Sequence, residues 1–357
     1  MLRYMPMAPT PPPLNEDEPT DKIVRPHKNR AKRLMMALSL ILTAAFIFGI
    51  VLFVRSNFDD FKDLWRQPLN KSFLFLLPLA WALMTFVNSE LMRKCLYAYA
   101  LKLTVIEGLA LTMTATALNY IIPLKSGSGL RGVYLTVCRK LSVTNFVAVL
   151  VSVSVMTLTV ASLFGFLGLL LLVLGGHEAN GLLLVYFGGT AIMGLLAVLF
   201  LGRLPIKLPK RLATLALGWD LVRSTEGLFF SLLRLQVGYF LTWALLNWLT
   251  LAVFKVYLSP AGIFFYAAGQ IHTTLVNLTP AGLGVVEAFS VYAGRVIEFT
   301  PAQALMAQAL NRLTAMTLLA IFGIWGWLYL TRLIALETNA RPLKEAKSLK
   351  EAKSPSN

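Results

Sequence analysis

Two stretches of the chain decide its fold: NYIIPLKSGSGLR at residues 119–131 and NLTPAGLGVVE at residues 277–287. Each stretch places an asparagine, a proline (Pro123 or Pro280) and a G-x-G pair just before a charged residue. Proline and glycine interrupt helices, and interrupted backbone within a bilayer persists only where protein or a watery cavity surrounds it. Paired interruptions in the two halves of a membrane protein indicate a transport site.

The composition places the chain in a membrane. Its residues are 57% hydrophobic and 14% charged, with a mean hydropathy of +0.68, whereas about 25% of the residues in a soluble domain are charged. Several uncharged runs reach or approach the roughly 20 residues that cross a bilayer. These runs are 34–54, 72–89, 141–176, 181–202, 235–254, 256–286 and 313–331.

The net charge of +16 does not predict a nucleic-acid partner. The basic residues cluster in the segments that flank the apolar runs, which is the positive-inside pattern and also attracts anionic lipid. We therefore expect the lipid bilayer as partner and no nucleic acid. Cys95 and Cys138 lack metal-site spacing, and we expect them to be reduced packing residues, with no metal site.

The loop charges predict how the chain crosses the bilayer. If 103–124 crossed completely, the basic residues that follow it would face away from the basic N-terminal arm, against the positive-inside bias. A hairpin that dips in and returns keeps them on one face, and a second hairpin at 261–290, entering from the other face, does the same for the C-terminal lysines. The sequence therefore predicts an all-α polytopic membrane protein with about six full transmembrane helices and two re-entrant hairpins, as an inverted repeat.

Three parts are expected along the chain. Residues 1–33 are a Pro-rich and basic arm with the composition of a disordered segment, too polar for a signal peptide. Residues 34–335 form the transmembrane domain, and residues 336–357 form a basic low-complexity tail in which LKEAKS occurs twice. We expect both termini on the cytoplasmic face of the inner membrane.

The first stretch offers positive groups to an anion. Gly127 and Gly129 expose backbone N–H groups, and a helix that starts near Arg131 would direct its positive end at a ligand. Together with Lys125, these groups form a candidate cradle for a lipid phosphate. The alternative is that the glycines allow close helix packing and that Arg131 anchors the chain at the interface. Residues 127–132 also match G-x-G-x-x-G, but no strand precedes them, so no nucleotide cofactor is predicted.

The second stretch ends on a carboxylate within an apolar run. Glu287 follows Gly282 and Gly284, and an intramembrane carboxylate marks an ion pair, a proton relay or a cationic ligand. We expect it either to pair with an arginine or to meet an ammonium group of a substrate; a plain interfacial position is the alternative. The candidate arginines are Arg131, Arg295 and Arg312. Asn119 and Asn277 are expected to cap the interrupted helices.

The chain resembles the flippase-like family of the lysylphosphatidylglycerol synthase transmembrane region. The resemblance rests on both stretches and on Asn311-Arg312-Leu at the opening of the last span, and it covers roughly residues 35–335. One departure is Gly-Ser-Gly where a Gly-Gly pair is common. The resemblance implies two re-entrant segments and movement of a phospholipid or polyprenyl lipid between leaflets. Bifunctional members carry a separate soluble synthase domain; only 336–357 follow the last span here, so we expect no synthase activity.

We therefore predict a lipid flippase or lipid transporter rather than an enzyme. The candidate substrate-binding residues are Lys125, Gly127, Gly129, Arg131, Pro280, Gly282, Gly284, Glu287 and Arg312, supported by Asn119, Pro123 and Asn277. Two alternatives remain open. A membrane glycosyltransferase with a lipid-linked donor would use Asp59 and Asp60, and a non-transporting scaffold would need no substrate site. The sequence gives no support for a particular oligomeric state.

Overall fold

The computed structural model describes residues 69–122, 126–178, 181–200, 219–225, 227–275 and 279–352, together with isolated positions between 48 and 66. Within these ranges the chain is helical and has no β-strand. The predicted all-α polytopic fold is confirmed. The arm at 1–33 and most of the predicted first span lie outside the described residues.

The described α-helices are numbered in chain order. They are α1 (Lys71–Tyr97), α2 (Val105–Ile121), α3 (Ser126–Val133), α4 (Val143–Leu174), α5 (Gly181–Phe200), α6 (Leu228–Val253), α7 (Pro260–Leu275), α8 (Val285–Val296) and α9 (Pro301–Ala352). A π-helix, Tyr134–Cys138, continues α3, and a 3-10 turn, Pro280–Gly282, precedes α8. Among the described helices, five are long and apolar enough to cross a membrane: α1, α4, α5, α6 and the part of α9 that ends at Leu336.

Local sequence sets the ends of the first hairpin helix. The hydroxyl of Thr104 accepts the backbone N–H of Glu107 at 3.1 Å, which satisfies one of the free donors at the start of α2. At the other end, Ile122 is extended (φ −113°, ψ 130°). It directly precedes Pro123, and the residue before a proline is disfavoured in helical conformation.

Helices α1 and α6 form an antiparallel pair. At one end, the N–H of Asn70 donates to the carbonyl of Val253 at 3.0 Å. At the other end, Leu91 packs in one buried cluster with Leu228 and Leu232. Because α2 follows α1 and α7 follows α6, the two hairpins begin at opposite ends of the molecule.

Each hairpin returns to the end at which it started. In the first, the carboxylate of Glu107 accepts hydrogen bonds from the hydroxyl of Tyr134 and from the guanidinium of Arg139, both at 2.7 Å. In the second, Tyr266 of α7 meets Phe299, just beyond α8, with ring centroids 5.8 Å apart. The returning limb of the first hairpin is thus the chain from α3 to the π-helix.

The packing of the hairpins repeats between the two halves. Helix α2 packs on α9, and α7 packs on α4. In both contacts the long helix carries a G-x-x-G pair and the first helix of the hairpin carries two alanines that are seven residues apart. Each glycine faces one of these alanines. The contacts are Gly323 and Gly326 with Ala117 and Ala110, and Gly165 and Gly168 with Ala268 and Ala261. A Cβ on any of these glycines would lie 2.7–2.9 Å from the facing alanine, so the close approach requires glycine, as between membrane helices generally. This matched packing around an antiparallel pair is that of an inverted repeat.

Opposed hairpins predict opposite chemical accessibility. In a variant without Cys95 and Cys138, we expect cysteines at Lys102 and Ser259, which are exposed beside the two hairpin entrances, to react with a membrane-impermeant maleimide from opposite faces of sealed vesicles. Reaction of both cysteines from the same face would contradict the inverted arrangement.

Candidate functional site

A polar cavity of about 250 Å³ lies at mid-length of the α1–α6 pair. Both halves contribute to its walls, through α1 and α2 on one side and α6, α7, the second hairpin's turn and α9 on the other. Its polar lining consists of Thr85, Asn88, Thr116, Asn119, Tyr120, Tyr239, Trp243, Gln270, Thr274, Gln308, Asn311 and Arg312. Since α1 and α6 are both long enough to span a bilayer, the middle of this pair corresponds to the middle of the apolar layer. We call this cavity the midplane cavity.

Glu287 is held by Arg312. The Nε and Nη2 atoms of Arg312 both donate to Oε1 of Glu287 at 2.7 Å, and the second carboxylate oxygen accepts the N–H of Gly284 at 2.7 Å. A third guanidinium nitrogen, Nη1, donates to the carbonyl of Ala281 at 3.3 Å. Of the arginines considered from the sequence, Arg312 is therefore the partner, while Arg295 is exposed.

The last span begins earlier than the sequence indicates. Helix α9 starts at Pro301, so Arg312 lies inside it rather than at its opening. The reason is that the uncharged run starts at 313, after Arg312, whereas the helix includes polar residues that face the cavity. Gln308 and Asn311 line the cavity together with Arg312.

The turn before α8 positions the carbonyl that Arg312 binds. Ala281, Gly282 and Gly284 have φ values of 50°, 68° and 90°, in the left-handed region that only glycine adopts readily. The 3-10 turn Pro280–Gly282 aims the carbonyl of Ala281 at the guanidinium. Asn277 lies outside the described residues.

The tip of the first hairpin is closed by Asn119. Its Oδ1 accepts the N–H of Gly127 at 2.8 Å, so the asparagine binds the start of α3. A Cβ on Gly127 would collide with the carbonyl oxygen of Ala115, whereas a Cβ on Gly129 would meet open space. Gly127 thus serves close packing between α2 and α3. Pro123 and Lys125 lie outside the described residues.

The prediction that a helix starts near Arg131 is wrong. Helix α3 starts at Ser126 and continues directly into the π-helix, so Arg131 lies inside a continuous helical segment and not at its start. The helix start and Arg131 therefore do not converge on one ligand as the proposed cradle requires. The physical reason is that the side chain of Asn119 satisfies a first-turn N–H of the helix, that of Gly127, so the helix can begin directly after the turn.

Arg131 instead lies behind the wall of the midplane cavity. It interacts electrostatically with Tyr239, a cavity-lining residue. Its Nε atom is buried, and among the described residues it has no hydrogen-bond partner. The indole N–H of Trp243, which also lines the cavity, likewise lacks a partner in the described part of the chain. Buried donors without partners are rare in folded proteins, so the N–H of Trp243, which lines the cavity, points to a polar ligand there.

Several polar residues of the site escaped the sequence analysis. Nε2 of Gln308 donates to the hydroxyl of Tyr266 at 2.8 Å, and Nε2 of Gln270 donates to Oγ of Ser290 at 2.7 Å. These bonds tie α7 to α9 and α8 across the second hairpin. Their signal in the sequence is an amide side chain inside an apolar run, which carries information even without a charge.

The acidic pair of the glycosyltransferase alternative is not brought to the midplane cavity by any described contact. Asp59 is helical and exposed, and Asp60 lies outside the described residues. Within the ranges that the structure describes, no group of His, Cys, Asp or Glu side chains could hold a metal ion.

The chain matches a known protein family. A family model described as the lysylphosphatidylglycerol synthase TM region matches residues 36–323. The matched range contains both hairpins and every residue that lines the midplane cavity. A comparison with curated proteins gives no match.

Proposed function

The chain belongs to the family of the lysylphosphatidylglycerol synthase transmembrane region, and from this premise we propose that it is a lipid flippase or lipid transporter of the cytoplasmic membrane. Membership establishes a membrane protein in the setting of lipid modification and flipping. The proposal is more specific: the headgroup of a phospholipid or polyprenyl-type lipid passes between leaflets through the midplane cavity. Both termini then lie on the cytoplasmic side.

The midplane cavity between two opposed hairpins is the observation that carries the proposal. A polar cavity at mid-depth is unfavourable in an apolar bilayer, because polar groups without partners cost about 2–7 kcal/mol each when transferred from water. We therefore infer that the cavity binds a polar ligand. Inverted repeats with interrupted helices place their substrate sites at this depth.

The charges of the site suit an anionic headgroup. Arg312 lines the cavity and Arg131 lies behind Tyr239, whereas Glu287 is the carboxylate already paired with Arg312. Two guanidinium groups and one carboxylate therefore lie in or next to the cavity wall. The remaining positive charge favours a phosphate, and the N–H of Trp243 supplies a further donor to it.

Transport at such a site needs binding and release, not covalent chemistry. The hydrogen bonds of the cavity replace those that the headgroup makes to water, while the lipid chains stay in the surrounding bilayer. The proposal accordingly assigns no catalytic residue, no cofactor and no synthase activity to the described domain.

The proposal predicts that Arg131→Gln slows lipid translocation. Arg131 lies behind Tyr239 and acts on the headgroup through its charge, so losing about 1 kcal/mol of this attraction corresponds to a roughly fivefold slower rate. The measurement is the rate at which fluorescent phosphatidylglycerol changes leaflets in proteoliposomes, read by a membrane-impermeant quencher. Trp243→Phe, which removes the unpaired N–H and keeps the ring apolar, should also slow it.

Arg295→Gln is the matched control for this experiment, because Arg295 is exposed on α8. Its translocation rate should stay within about twofold of the wild type. If Arg131→Gln and Trp243→Phe both translocated lipid at the wild-type rate, the cavity would not be the lipid pathway.

A further inference from the structure

A second cavity, of about 620 Å³, lies at the end of the α1–α6 pair where the first hairpin has its entrance. We call it the rim cavity. Its walls are the last two turns of α1, residues 101–103 and the start of α6. It shares no lining residue with the midplane cavity, so it is a separate feature of the molecule.

Four basic side chains converge on the rim cavity from two segments that are distant in sequence. Arg93, Lys94 and Lys102 come from the end of α1 and the following loop, and Arg234 comes from α6. Among its described lining residues, Glu90 is the sole carboxylate, and it already pairs with Arg93. The described lining therefore carries a net positive charge.

Specific side-chain contacts fix the shape of the rim cavity. Nε of Arg93 donates to the carbonyl of Leu103 at 3.0 Å, which fixes the guanidinium beside the loop. The ammonium of Lys102 lies 5.6 Å from the ring centroid of Tyr97, a cation–π distance. The contact with Tyr97 holds the cation of Lys102 in place without neutralising it, whereas the charge of Arg93 is paired with Glu90.

The start of α6 adds to the positive potential of the rim cavity. Its N-cap, Gly227, has φ 71° and provides no side-chain cap. The N–H of Leu228 donates to the carbonyl of Thr225 at 3.1 Å, and the helix end contributes the positive end of its dipole. Ser231, one turn into the helix, also lines the cavity. This helix end adds a partial charge to the full charges of the basic side chains.

The level of the rim cavity in the bilayer indicates what it binds. Basic residues at the ends of spans lie at the lipid headgroups of the cytoplasmic leaflet, where tyrosines are also enriched. Tyr97 is half exposed at this level, and Leu101 and Leu228 give the cavity an apolar wall beside its cations. Basic pockets between helices on this side of a membrane suit anionic lipid headgroups, and the volume is that of a small-molecule site.

We propose that the rim cavity binds the phosphodiester headgroup of an anionic phospholipid of the leaflet on this face. Ordinary positive-inside residues are spread along loops and solvated, whereas here two basic segments close around one concavity. Lys94, Lys102 and Arg234, which are exposed, contact the phosphate. Arg93 stays with Glu90 and shapes the wall. This site does not depend on lipid transport through the midplane cavity.

The test uses the full chain in a neutral detergent and short-chain lipids. Dihexanoyl-phosphatidylglycerol, dihexanoyl-phosphatidylcholine and inorganic phosphate are titrated separately, and binding is read as a rise in the unfolding temperature, because a ligand of the native state stabilises it. We expect phosphatidylglycerol to bind at least about tenfold more tightly than phosphatidylcholine. Inorganic phosphate at equal concentration should produce a much smaller rise.

The variant K94Q/R234Q should bind phosphatidylglycerol about 30-fold more weakly, and each single variant about fivefold more weakly, since each cation at the membrane surface contributes a comparable factor. The matched control is K140Q/R332Q, which also removes one lysine and one arginine. Lys140 and Arg332 are exposed near the same end of the molecule and do not line the cavity.

Equal weakening in K140Q/R332Q would mean that surface charge alone attracts the lipid, and it would overturn the proposal. So would equal binding of the two lipids. A response to inorganic phosphate as large as that to phosphatidylglycerol would assign the cavity to a free anion instead of a lipid. The unfolding temperature also responds to lipid in the midplane cavity, so the rim cavity is assigned from the difference between the wild type and K94Q/R234Q, whose residues do not line the midplane cavity.

Discussion

Replacing Glu287 by glutamine destabilises the protein by about 3 kcal/mol or more, because Arg312 then keeps its buried charge and loses its carboxylate. The two side chains are only 9% and 18% exposed, and two hydrogen bonds of 2.7 Å join them. Glutamine also loses the charged oxygen that accepts the N–H of Gly284 at the start of α8. We expect both the ion pair and the second hairpin's turn to loosen.

The measurement is the unfolding temperature of the purified protein in detergent. Arg295→Gln removes an exposed charge from the same helix and should change the free energy of unfolding by less than about 0.5 kcal/mol. The double variant Glu287→Gln with Arg312→Gln should be more stable than the sum of the single losses predicts, because no unpaired buried charge remains. A Glu287→Gln protein as stable as the Arg295→Gln control would contradict the role of this pair.

Gly127→Ala should disrupt the first hairpin, whereas Gly129→Ala should not. A Cβ at 127 collides with the backbone carbonyl of Ala115, which cannot move without displacing α2. We expect a loss of about 3 kcal/mol, at the upper end for overpacking. At 129 the Cβ meets open space, so alanine should stabilise the helix by up to about 1 kcal/mol through its higher helix propensity.

Helix propensity alone predicts that alanine stabilises the protein at both positions. The two variants therefore distinguish the effect of helix propensity from the effect of packing. Unfolding temperatures of the two variants, measured side by side, distinguish the cases. The hydrogen bond from Gly127 to Asn119 gives a further check, since Asn119→Ala should also destabilise the tip. A Gly127→Ala protein at least as stable as Gly129→Ala would show that α2 and α3 do not approach so closely.

Much of the fold follows from the sequence because its causes are local. Hydrophobic runs specify spans, since each backbone group in lipid must be satisfied within its own helix. The charges of the loops specify on which face of the membrane each loop lies, and this positive-inside bias predicts the hairpins around residues 103–124 and 261–290. In the structure the helices of the second hairpin lie between 260 and 296, whereas those of the first lie between 105 and 138. The range 103–124 therefore holds only the first limb, and the basic residue Arg131 lies in the returning limb instead of after the hairpin.

The site was predictable only in part. The G-x-G stretches indicate where the helices are interrupted, and Glu287 stands out as a carboxylate in an apolar run. Its partner is not specified by the sequence, because Arg131, Arg295 and Arg312 are equally available until the helices pack. The start of α9 at Pro301 was missed for a related reason: polar residues that face a cavity interrupt the hydrophobic run without ending the helix.

The sequence by itself thus determined the membrane class, the two interruptions and the charged residues at them, since hydropathy, helix breaking and charge are properties of short segments. Only the tertiary structure decided that Glu287 pairs with Arg312 and that Arg131 stands behind Tyr239. It also brought the basic ends of α1 and α6 around one cavity. The physical reason is that ion pairs and cavities form between surfaces distant along the chain, and their geometry exists only after the helices have packed.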